Sequence, residues 1–236
     1  MKICVITSCT GEKKYSPSNK LIREDFFQQE TLITRSNELK EYAQKACDMY
    51  IGAQHINLME GYNLLKLALK YNSLDLYILS AGYGVIPFDK IIVPYNVSFN
   101  DFSDKEIKDW SRFLHVHRDL NKLVNKYDLV FFLLGDKYLK ACELPLELTN
   151  SSTKLIFFSS SVSKKVLPYY EPYYKIKAGL EEAKDYSYGL IGLKGYLFKL
   201  LCKEIKENEN LISNFYDNPK SITTCLEKYK KSCKGD

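Results

Sequence analysis

Chemistry-bearing residues gather at four places in this chain, each directly after a short apolar run. The first is Ser8-Cys9-Thr10-Gly11-Glu12-Lys13-Lys14-Tyr15-Ser16-Pro17-Ser18, with a thiol, hydroxyls, a carboxylate and two ammonium groups. The second is Ser80-Ala81-Gly82-Tyr83-Gly84, continued by Pro87, Asp89, Pro94, Tyr95 and Asn96. Two glycines around a tyrosine allow a sharp turn and a close approach to a ligand, so Tyr83 is expected to be presented rather than buried. The third is Gly135-Asp136-Lys137-Tyr138, and the fourth is Ser159-Ser160-Ser161-Val162-Ser163-Lys164-Lys165. Away from these, Gly192-Leu193-Lys194-Gly195 opens an amphipathic helix whose free N–H groups suit an anion.

The chemistry such groups support is recognition of a flat polar ring with phosphates attached. Tyr83 or Tyr15 would stack on the ring, and Lys13, Lys14, Lys164, Lys165 or Lys194 would hold phosphates. Cys9, Thr10, Ser18, Gln54, His55, Ser80, Gly82, Gly84, Tyr95, Ser159 and Ser160 complete the expected binding set. Cleaving a base from its sugar needs a carboxylate or polarised amide to position water and stabilise an oxocarbenium-like sugar. Glu12, Asp89, Asn96 and Asp136 are the groups available for that. His115 and His117 are two apart, so on one helix they diverge and are expected to be structural or solvent-facing.

Four apolar runs must position these groups: Lys2–Ser8, Leu74–Leu79, Leu129–Leu134 and Lys154–Phe158. They read as buried strands separated by helical patterns over about Leu21–Tyr50, Asn57–Lys70 and Trp110–Lys126. That alternation indicates an α/β domain with a mostly parallel four-stranded sheet between helical layers. Parallel strands joined by crossovers put all their C-terminal ends on one edge, where such sheets bind ligands. The chain is expected to be a single domain over 1–236. Residues 167–188 read as an irregular Tyr/Lys-rich loop, and the remaining helices to 236 pack on the domain.

Composition narrows the partners. The 236 residues are 45% hydrophobic, which indicates a globular chain. No run approaches the roughly 20 apolar residues of a membrane span. The start, Met1 to Thr7, reads as a first strand and not a signal peptide, so the expected location is the cytoplasm. A formal net charge of +5 permits a phosphate-bearing partner, and 19 tyrosines and 12 phenylalanines are available for stacking. The seven scattered cysteines (Cys4, Cys9, Cys47, Cys142, Cys202, Cys225 and Cys233) form no CxxC or Cys/His cluster. That pattern indicates reduced thiols, with no metal and no cofactor expected. No nucleophile elbow, P-loop, GxGxxG, HExxH or deaminase zinc signature is present.

Several motifs resemble known families. Cys9, Lys13, Tyr15 and Ser18 match the spacing of the Pro-Cys-x3-Lys-Pro-Tyr-x2-Ser-x2-His motif of the archaeosine synthase core domain. Ser8, Lys14 and Leu21 stand where that motif has Pro, Pro and His. Ser80 to Tyr95 resembles a segment of the YaaA peroxide-stress family and one of a related uncharacterised bacterial family. Tyr50-x-Gly52-x-Gln54-His55 is similar to a motif of the latter. The resemblance covers about the first two-thirds of the chain and implies a fold like that of uracil-DNA glycosylase. It implies a DNA-acting enzyme, with RNA left open as the polymer; the chain itself is expected to be a monomer. The reaction implied by fold analogy is a DNA glycosylase flipping a modified base, such as one from modified phage DNA, and hydrolysing its glycosidic bond. Competing expectations are a non-catalytic DNA-binding stress protein like YaaA, a base-modifying transferase like archaeosine synthase, and a small-nucleotide hydrolase.

Overall fold

A computed structural model describes residues 1–69, 73–160, 166–168 and 170–231. The central sheet is built on β1 (Lys2–Ser8), in which every residue from Ile3 to Ser8 is buried. A strand buried on both faces must have neighbours on both edges and helices above and below. Its partners are β3 (Ser73–Ser80) on one side and β6 (Leu129–Leu133) on the other, both parallel to it. Beyond β6 lies β7 (Lys154–Ser159), also parallel.

These four strands are the ones expected from the sequence, but the sheet has six. A short antiparallel strand, β4 (Gly84–Pro87), flanks β3, and a parallel strand, β8 (Tyr173–Lys177), flanks β7. The full order is β4-β3-β1-β6-β7-β8. Both additions are edge strands, and neither has the continuous apolar run of a central one. Pro87 is tolerated because an edge residue needs no ladder donor on its outer side. In β8 the sequence Tyr-Tyr-Lys-Ile-Lys has only Tyr173 and Ile176 buried, so it reads as loop in isolation. The expectation of an irregular 167–188 is therefore corrected: this stretch also holds α7 (Leu180–Asp185). A separate two-stranded sheet pairs β2 (Gln44–Lys45) with β5 (Ile91–Ile92).

Alternation along the strands divides the core into two layers. Cys4, Ile6, Val130, Phe132, Leu155 and Phe157 pack on one face, with α4 (Asp104–Phe113), α5 (Val116–Val124) and α6 (Asp136–Ala141). Ile3, Val5, Phe131, Ile156 and Phe158 pack on the other, against α3 (Ala53–Ala68) and α8 (Leu193–Glu207). Helices α9 (Asn210–Asp217) and α10 (Ser221–Glu227) join this second layer. Among the described residues no helix is long and apolar enough to cross a membrane.

The expected helix over Leu21–Tyr50 is not one element. It is divided into a 3-10 turn at Arg23–Phe26, α1 (Gln29–Glu38), β2 and α2 (Ala46–Met49). Backbone hydrogen bonds to distant residues decide this. Lys14 N donates to Met49 O, Leu21 N to Pro94 O, and Ala46 N to Lys90 O. Residues committed to such pairs cannot also complete a helical ladder. His115, in turn, takes the left-handed conformation (φ 56°) between α4 and α5, so His115 and His117 do not share a helix. With Arg112, Arg118 and Glu143 they line one surface groove of about 410 Å³, and the ring of His117 is also tied to Cys142 O.

Candidate functional site

The chain leaves β1 toward β3 through α3, and it leaves β6 toward β7 through α6 on the opposite face. Adjacent strands whose connections diverge leave a crevice outside their carboxyl ends. Gln54, in the first turn of α3, reaches into this crevice. Its buried Nε2 faces Thr7 Oγ1 at 3.2 Å, Ser8 Oγ at 3.3 Å and Leu133 O at 3.0 Å. One amide thereby links the ends of β1 and β6.

Close backbone approaches lock the walls. A Cβ on Gly52 would sit 2.8 Å from Thr10 Cβ, one on Gly192 3.2 Å from Ala53 Cβ, and one on Gly195 2.2 Å from Gln54 O. The ends of β1, α3 and α8 are thus seated directly on one another.

On the β6–β7 side, Asp136 opens α6 and accepts from Ser160 Oγ at 3.1 and 3.0 Å. Lys194, in the first turn of α8, is only 8% exposed. Burial holds its ammonium below the usual lysine range, and the Asp136 carboxylate partly opposes that shift. Ser159 is fully buried at the end of β7, and among the described residues its Oγ has no hydrogen-bond partner. Lys164 and Lys165, expected to grip phosphate here, lie outside the described residues.

The β1–β3 side holds a network of hydroxyls. Tyr95 OH exchanges hydrogen bonds of 2.8 Å with both Tyr50 OH and Ser80 Oγ. Ser80 Oγ also accepts from the backbone N–H groups of Gly82 and Tyr83. Cys9 Sγ lies 3.1 Å from Tyr138 OH and accepts weakly from Ala81 N–H. Trp110 Nε1 donates to Ala81 O at 2.7 Å and pins the same turn from below. Burial raises the hydroxyls of Tyr50, Tyr95 and Tyr138 well above the ordinary tyrosine range, so all three stay neutral. Lys13 Nζ sits 4.2 Å from the centre of the Tyr95 ring, a cation–π contact, and reaches Thr10 O at 3.4 Å.

Several expectations change on this geometry. Tyr83 is not presented to a ligand. Its ring packs edge-on against Phe26 and Tyr95, its hydroxyl is shared by the N–H and C=O of Val93, and burial raises its pKa. The glycines beside it serve protein packing. A Cβ on Gly82 would meet Phe26 at 2.8 Å, and Gly84 takes φ +72° beside Leu114 O. Asp89 is exposed in the turn after β4. Pro87 pairs with Tyr77, so this turn stands about 10 Å back from the strand ends. His55 is buried rather than presented at the surface: it is 2% exposed, its Nε2 lies 2.9 Å from Cys47 O, and burial lowers its pKa. Glu12, Lys14, Ser18 and Asn96 are exposed on the surrounding loops. Tyr15 leans on Tyr42 at 5.6 Å, with Lys14 Nζ over its ring.

Tyr50 and Tyr138 are the functional-region residues that sequence reasoning did not assign. A signal existed for Tyr50, which opens the Tyr-x-Gly-x-Gln-His motif. Tyr138 offered only its place after Gly135. The packing of Tyr83 carries an expected result: Tyr83→Ala should cost about 3 kcal/mol of stability, read from the urea midpoint, because a large ring leaves a cavity. An unchanged midpoint would remove Tyr83 from the packed wall.

Fold and site together define an α/β protein with a polar crevice at the switch point of a mostly parallel sheet. The chain belongs to the DUF6884 family, a family of unknown function, which its residues 31–166 match. The matched span holds Gln54, Tyr95, Asp136 and Ser160, whereas Cys9, Lys13 and Lys194 lie outside it. No curated protein matches the chain.

Proposed function

We propose that this protein is a DNA-acting enzyme, a glycosylase that takes a modified nucleobase into the switch-point crevice and hydrolyses its N-glycosidic bond. The observation that carries this reading is the placement of Asp136. It is a half-buried carboxylate, oriented by Ser160, beside the buried ammonium of Lys194. Such a carboxylate can position water and stabilise the positive charge that develops on the sugar. Of the four groups expected for this role, Asp136 alone sits at the strand ends with a hydrogen-bond partner that orients it. Lys194 and Ser159 Oγ supply donors for the departing base. Leu190 and Ile191, the latter 86% exposed, project from the segment locked beside the crevice and suit contact with stacked bases. The resemblance to the archaeosine synthase core and YaaA families supports the same substrate class.

The test is incubation of the protein with DNA carrying natural and hypermodified bases, followed by mass spectrometry of the products. A free base with an alkali-labile abasic strand is the expected result. A heavier strand would point to base modification by transfer. Intact DNA, with binding that falls steeply as salt is raised, would leave a binding protein without turnover.

A further inference from the structure

Lys13 combines reach with desolvation in a way that no other lysine described at the strand ends does. It is partly exposed at the mouth of the β1–β3 side, yet its Nζ rests on the Tyr95 ring and faces that of Tyr50 at 5.9 Å. Among the described residues no carboxylate pairs with it. Among the same residues its ammonium makes one hydrogen bond, the 3.4 Å contact with Thr10 O. Lys14 and Lys20, its neighbours in the loop, differ: the first is exposed, and the second donates to Ser16 Oγ. An ammonium that has no carboxylate partner and is partly withdrawn from water is the setting in which lysine becomes an amine nucleophile, while the contact with the Tyr95 ring favours the charged form and works against it. Burial and the nearby charge of Lys20 both lower its pKa, while the Cys9 side chain opposes them.

We infer that Lys13 is a catalytic nucleophile that forms an imine with the C1′ aldehyde of an abasic deoxyribose. The inference rests on the glycosylase reading, whose product is that sugar in its ring-opened form. In the step, the neutral amine adds its lone pair to C1′ and the carbonyl π pair moves to oxygen, which takes up a proton. The nitrogen gives up a proton, the oxygen leaves as water after a second protonation, and the nitrogen lone pair closes the C=N bond. No oxidant or reductant is consumed.

The experiment supplies a DNA strand whose abasic site has been made in advance, so that base release is not needed. Borohydride added during incubation reduces any imine to a stable amine, and peptide mass spectrometry locates the attached strand. The expected result is a strand attached at Lys13, with total trapping reduced by about a factor of ten or more in Lys13→Arg. Arginine keeps the charge over Tyr95 but cannot form the imine, while Lys14→Ala and Lys20→Ala should still trap. The trapping rate should also persist to a pH below that of solvent lysines, which titrate near about 10.4. Adducts spread over surface lysines, or a rate profile like theirs, would overturn the inference without recourse to any variant. A Lys13 adduct from a protein that releases no base from any modified DNA would leave the imine chemistry standing and remove the glycosylase reading.

Discussion

Gly195→Ala should destabilise this protein by about 3 kcal/mol or more, although alanine is the better helix former by about 1 kcal/mol. The sign is set by tertiary contact. A Cβ at this position in α8 would stand 2.2 Å from Gln54 O, 3.1 Å from its carbonyl carbon and 3.2 Å from its Cα. These are backbone atoms of α3 and cannot rotate away. The two helices also meet at Gly61, where a Cβ would come 2.9 Å from Lys199 Cα, so α8 cannot shift locally to make room. Overpacking of this kind forces one helix off the other. It should also move Gln54 from the strand ends and Lys194 from Asp136, so under the proposed function nucleic-acid binding should weaken along with stability. Urea unfolding of the wild type and the variant measures the first effect. A variant within about 0.5 kcal/mol of wild type would show that the two helices are less tightly seated than their geometry indicates.

The second large effect is expected at Asp136. Asp136→Asn keeps the shape and an acceptor for Ser160 Oγ, but it removes the negative charge that the proposed mechanism sets against the sugar. Turnover on the substrate that mass spectrometry identifies should fall by about 10²–10⁴-fold, with binding largely kept. The matching control is Asp89→Asn. Its parent carboxylate is exposed in the turn beyond β4, well back from the strand ends, so full activity is expected. Undiminished turnover in Asp136→Asn would return the water-positioning role to Glu12 or to a group outside the crevice. The pair of variants therefore tests the geometric choice among candidates that the sequence offered as equals.

The four central strands were legible because a strand buried on both faces must be apolar throughout. Lys2–Ser8, Leu129–Leu133 and Lys154–Ser159 have no other reading once turn residues bound them. Their parallel arrangement followed from the helical segments between them, and with it the gathering of Cys9, Ser80, Asp136 and Ser160 at one edge. The crevice and most of its rim were thus written in local pattern. The edge strands were not, since β4 is four residues bounded by Gly84 and Pro87 and β8 is half-polar, and only their neighbours' unsatisfied backbone groups make them strands.

The tertiary structure alone decided which aromatic and charged groups stay accessible at that edge. Tyr83 and Tyr95 look alike in sequence, each flanked by turn residues. Phe26, brought in from the 3-10 turn before α1, closes over both rings and turns the expected stacking platform into a wall. Lys13 and Lys14 are adjacent, yet the backbone bond from Lys14 to Met49 places one ammonium on the Tyr95 ring and leaves the other exposed. Periodicity records which positions are buried by their own element, because the side chain repeats with the backbone. It carries no record of contacts between residues tens of positions apart. The sequence by itself determined the sheet and the edge where chemistry collects; the long-range packing of loops on that edge determined which of its residues can act.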